Sequence, residues 1–116
     1  MWQRTPLAIA TETGGPDAVR ALLESGQVDV NARDMWQRTP LAIAAETGNF
    51  DTLRVLLETE QVDINAKDMW DRTPLTLAAE SGNLGAVRVL LDTGEVDVNA
   101  GDTRERTALW IAARNG

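Results

Sequence analysis

"DMWQRTPLAIAAETGN" spans Asp34–Asn49, and its core, "MWQRTPLAIA", also opens the chain at Met1. A close copy, "MWDRTPL", returns at Met69, and a worn one, "TRERTAL", at Thr103. Met1, Met35, Met69 and Thr103 therefore fall every 34 residues, and only ten positions differ between the first two copies. A repeat of this length and fidelity predicts a stacked solenoid in which each unit completes the core of its neighbour. The units are 1–34, 35–68 and 69–102, with a partial unit 103–116, all within one domain covering 1–116.

Local signals agree within each unit. Thr39 before Pro40 predicts a hydroxyl N-cap followed by the residue best suited to the first helical position. Leu41, Ile43, Ala44 and Ala45 follow as a short helix whose alanines admit a close neighbour, and Gly48 ends it. Asn49 then predicts the cap of a second helix; Gly15 and Pro16 stand there in the first copy. Leu53, Leu56 and Leu57 recur at the spacing of a buried stripe. "EQVDINAKD" reads as an extended excursion, Val62 and Ile64 alternating with Asp63 and Asn65.

Composition narrows the function. Hydrophobic residues make up 43% of the chain but aromatics only 4%, so the core must be aliphatic. No apolar run is long enough to span a bilayer, which predicts no membrane partner. The absence of cysteine fits an intracellular, reducing setting, with the cytoplasm expected. A net charge of −7 argues against nucleic acid, whose phosphates need clustered Lys and Arg. Without His, Cys or Tyr the commonest general base and the strongest nucleophile are missing, so no enzyme is expected. The carboxylates Asp29, Asp63 and Asp97, like Glu12, Glu46 and Glu80, recur as ladders and form no single catalytic pair. Asp29, Asn31 and Asp34 lack the glycine and distal glutamate of a calcium loop and read more simply as Asx residues bonding local backbone. Neither cofactor nor metal is expected.

"RTPLAIAAETGN", the second helices "VRVLL" and "LRVLL", and the finger segments "VDVNARD" and "VDINAKD" together resemble the ankyrin repeat, in register over essentially the whole chain. The resemblance implies an all-α repeat solenoid of stacked helix-turn-helix units with projecting β-hairpin-like fingers. It also implies a module binding a protein partner through the concave surface of finger tips and first helices. Two departures stand out. The histidine of the family's T-P-L-H is replaced by Ala8, Ala42, Thr76 and Trp110, and the finger glycine by Gln3, Gln37, Asp71 and Glu105. Without glycine a left-handed turn costs about 1–2 kcal/mol, so a differently built tip is expected.

Carried over by position, the partner-binding candidates are Met1, Trp2, Arg4 and Glu12, then Met35, Trp36, Arg38 and Glu46. Met69, Trp70, Arg72 and Glu80 follow, with Arg104 and Arg106 in the basic final stretch. Trp and Arg are the residues most enriched at binding hot spots. The rival reading is a structural spacer or self-associating element. In it each Trp covers the Arg of a neighbouring finger, for about 0.5–1 kcal/mol, and Glu12 pairs with Arg38 across units, for about 0–1 kcal/mol. A surface position is preferred for these tryptophans. Trp110, by contrast, is expected to pack at the concave root of its unit. The chain also reads as an excerpt of a longer array. Apolar ends at Leu7, Leu22 and Leu23, and at Leu109 and Ile111, would then favour weak end-to-end self-association.

Overall fold

A computed structural model describes residues 5–101 and 107–115. The elements are α1 (Pro6–Ile9), continued by a π-helical turn (Ala10–Gly14), α2 (Gly15–Glu24), α3 (Pro40–Thr47), α4 (Phe50–Leu57), α5 (Pro74–Glu80), α6 (Leu84–Asp92) and α7 (Ala108–Asn115). α3, α5 and α7 stack as one layer, and α2, α4 and α6 as a second layer behind them. This is the all-α solenoid expected of the repeat.

Each first helix starts as its sequence dictates. Thr5, Thr39 and Thr73 accept from the backbone N–H groups of Ala8, Ala42 and Thr76, with proline next in the chain. The inner layer is nearly dry: Leu41, Ala44, Ala45 and Ala78 are buried. Alanine at these sites leaves room for the neighbouring helix, and Leu53, Leu56 and Leu90 fill the space between the layers. Leu57 is only partly buried, on the rim of the stripe.

The turn between helices is not copied uniformly. Gly48 closes α3 in the left-handed region (φ 77, ψ 21), and Asn49 caps α4 by accepting from the Thr52 N–H at 3.3 Å. In the first unit Pro16 disfavours helical backbone at Gly15, which takes φ 77, ψ −178. The break thus falls one residue later, and the surplus residue is absorbed as the π turn. In the third unit Asn83 does not cap its own helix. Its Nδ2 instead donates to the carbonyls of Ala45 and Glu46, at 3.0 and 2.9 Å, supplying partners to the C-terminal end of α3.

The fingers differ from a β-hairpin. Among the described residues there is no strand, only an isolated antiparallel bridge between Gly101 and Thr107. The arms spend their polar groups elsewhere. Asn31 accepts from the Asp63 N–H at 2.7 Å and donates to the Gln61 carbonyl at 2.8 Å; Asn65 repeats this brace with Asp97 and Glu95. The Met69 N–H donates to the Trp36 carbonyl at 3.0 Å, joining one finger directly to the next. Ile64 is buried and Val62 partly buried while Asp63 and Asn65 are exposed, so the expected alternation holds, more weakly at Val62, without strand pairing.

The end patches also differ from expectation. Leu7 and Ile111 are both buried, Leu7 near α3 and Ile111 on α7, which packs on α5. Neither supplies exposed apolar surface. Leu22 and Leu23 are partly buried, and the Leu109 side chain lies outside the described residues.

Candidate functional site

Among the described residues, two fingers are each organised by one buried aspartate. Asp34 Oδ1 accepts from the backbone N–H groups of Trp36 and Arg38, both at 2.9 Å, and Oδ2 accepts from Arg38 Nε at 2.8 Å. Asp68 repeats the arrangement with Trp70 and Arg72, at 2.8, 2.9 and 2.9 Å. Three donors on one carboxylate fix the turn and the root of the arginine together. Sequence reading assigned Asp34 a local Asx role and missed this anchoring of Arg38. The available signal was an aspartate standing four residues before the finger arginines Arg38, Arg72 and Arg106: Asp34, Asp68 and Asp102.

The turn keeps the conformation that glycine would favour. Gln37 and Asp71 have φ of 63 and 61, so the expectation of a differently built tip is corrected. The carboxylate latch supplies enough hydrogen bonding to hold a side-chain-bearing residue there. Strain of this kind is worth about 1–2 kcal/mol per residue.

The arginine then points in three directions at once. Arg38 Nη1 donates to Glu46 Oε1 at 2.8 Å, and Nη2 lies 3.7 Å from Glu12, bridging two units as the sequence suggested. Its guanidinium sits 5.0 Å from the centroid of Trp36; Arg72 sits 4.9 Å from that of Trp70 and donates to Glu80 at 3.4 Å. Arg38 and Arg72 thus each stack on the tryptophan of their own finger. The reason is the latch: Asp34 holds Arg38 Nε two residues beyond its own tryptophan, which leaves the guanidinium over that ring.

The fold brings together Met35, Trp36, Arg38 and Glu46 with Met69, Trp70, Arg72 and Glu80, and joins Glu12 to them through Arg38. Met35, Met69 and Trp70 are exposed and Trp36 is half-buried. Between adjacent fingers lies a groove of about 220 Å³ lined by Trp36, Arg38, Trp70 and Arg72. Met1, Trp2, Arg4, Arg104 and Arg106 lie outside the described residues. Trp110 is 47% exposed, with Arg114 at 5.6 Å from its ring, instead of packing at the root of its unit. The equivalent sites hold Ala8, Ala42 and Thr76, all buried; an indole is too large for such a slot and turns outward.

Among the described residues no group of acidic side chains is arranged to hold a metal ion, and no helix is long and apolar enough to cross a membrane. A family model described as ankyrin repeats (3 copies) matches residues 2–68 and 60–116. The chain therefore belongs to the ankyrin repeat family, whose members are generally protein–protein interaction modules. Comparison with curated proteins returned no match.

Proposed function

We propose that this ankyrin-repeat chain is a non-enzymatic module that binds a protein partner across its finger tips and the adjoining first-helix face. One observation carries the reading: Trp36 and Trp70 are held by buried carboxylate latches on either side of one groove, on consecutive fingers. Rigid, half-exposed indoles lose little side-chain freedom on binding, which favours them as anchors. The cysteine-free composition fits an intracellular setting for that partner. The cation–π pairs also favour the rival structural role, since a stacked ladder stabilises itself.

Selection of a random peptide library on the intact chain separates the two, with the variant Trp36→Ala/Trp70→Ala as the counter-target. A binding module yields ligands that the variant does not retain, while the variant keeps nearly its full resistance to urea. Selection that yields no ligand, or ligands held equally by both proteins, together with lost stability in the variant, would establish the spacer instead.

A further inference from the structure

We infer that the groove between Trp36 and Trp70 receives a cationic side chain, arginine or lysine, from a basic segment of the partner; this rests on the binding role proposed above. The charges around the groove are unbalanced. Arg38 and Arg72 are each met by a buried aspartate and a glutamate, and Arg38 also approaches Glu12. An incoming anion would meet guanidiniums already compensated by two or three carboxylates each, in surroundings that are net negative. An incoming cation displaces nothing. Glu46 and Glu80 commit only Oε1 to the arginines, and Oε2 of each accepts nothing among the described residues. Both carboxylates are about one-third exposed, at 33% and 35% of the side chain, and so within reach of a ligand.

The aromatic surface fits the same occupant. Trp70 is 41% exposed even with Arg72 stacked on it, leaving indole surface for a second cation. Asp71, at the strained tip beside Trp70, adds another exposed carboxylate. The groove volume of about 220 Å³ equals roughly seven waters at about 30 Å³ each, enough for one long side chain and too little for a folded element. The chain's net charge of −7 favours the approach of a basic segment over the same distance range.

The test uses the whole chain, isotope-labelled, and a blocked hexapeptide of alternating arginine and alanine, beside glutamine and glutamate versions. The indole N–H resonances report on the site, with Trp110 as an internal reference away from the groove. The arginine peptide is expected to shift Trp36 and Trp70 and leave Trp110 in place. Its affinity should fall about tenfold in Trp70→Ala, and again in Glu46→Gln/Glu80→Gln, whose amide oxygens still accept from Arg38 and Arg72. Circular dichroism confirms that each variant stays folded. Equal shifts from the glutamate or glutamine peptide would overturn the cationic assignment while leaving a binding face. Shifts spread evenly over all tryptophans, or none at millimolar peptide, would also overturn it. Library ligands that are not basic would refute the inference and leave the binding role standing.

Discussion

Gly48 and Gly82 occupy equivalent positions with nearly equal φ, at +77 and +75, yet their surroundings differ. A Cβ at Gly82 would meet nothing within 4 Å, whereas one at Gly48 would stand 2.8 Å from Asn83 Oδ1. Substituting Gly82 with Ala therefore reports the left-handed backbone alone, a loss of about 1 kcal/mol after allowing for the stiffer unfolded chain. Gly48→Ala adds displacement of the Asn83 amide from the carbonyls of Ala45 and Glu46. Two hydrogen bonds at about 0.5–1.5 kcal/mol each raise the total to about 2–4 kcal/mol. With a urea dependence near 2 kcal/mol per molar, the gap between the two variants is about 0.5–1.5 M in midpoint. Urea titration followed by far-ultraviolet circular dichroism measures it. The decisive arm is a double-mutant cycle. In an Asn83→Ala background, Gly48→Ala should cost no more than Gly82→Ala does, because the clamp is already gone. Equal losses for the two glycines in the parent, or full additivity in the cycle, would refute the clamp.

Thr52 Oγ1 is buried and has no hydrogen-bond partner, whereas Ala18 and Ala86 stand at the equivalent sites. Thr52→Val should raise stability by about 1 kcal/mol in urea titration, since it removes an unmet polar group at constant shape; a loss would show that the hydroxyl is satisfied in solution. Gln37→Gly and Asp71→Gly should each raise the thermal midpoint, by about 1 kcal/mol of relieved strain, with the two effects nearly additive. Asp68→Ala removes the acceptor of three donors and leaves Arg72 without its buried partner, so about 3 kcal/mol should be lost. Trp70 fluorescence anisotropy should fall in the same variant as the finger loosens, and an unchanged anisotropy would contradict the latch.

The solenoid was legible because the 34-residue period and the Thr-Pro helix starts are local or periodic signals, and nothing in the tertiary structure opposes them. Gln37 shows where sequence reasoning ended. Propensity disfavours a left-handed glutamine, but Asp34, three residues away, supplies hydrogen bonds that propensity scales omit. The choice of ring for Arg38 had the same origin: spacing permits it to reach its own finger or a neighbour's, and the latch places it over Trp36. Asn49 and Asn83 end similar tripeptides, "TGN" and "SGN", yet one caps its helix and the other crosses to the previous unit. Gly85 is part of the difference. Aspartates occupy the equivalent sites at 17 and 51, and a Cβ at Gly85 would come within 2.0 Å of the Phe50 ring. The ring of one unit thus lies directly over the second helix of the next, a contact no single-unit pattern encodes.

On the binding role proposed above, the exposed part of the finger network serves presentation more than stability. Partly exposed ion pairs such as Arg38–Glu46 contribute about 0–1 kcal/mol, and the left-handed Gln37 and Asp71 subtract about as much. What the arrangement does achieve is order at the surface. A buried carboxylate fixes the backbone of each tryptophan, the arginine on the same carboxylate covers one part of its ring, and the glutamate on the first helix holds that arginine in turn. The Met69–Trp36 hydrogen bond then sets one finger beside the next, so the spacing of the two indoles is fixed by backbone and not by side-chain choice. A partner meeting this face encounters aromatic surface whose rotamer freedom is already restricted before contact. On the binding role proposed above, its affinity would depend on Asp34 and Asp68, which hold the finger backbone, as well as on the tryptophans that line the groove.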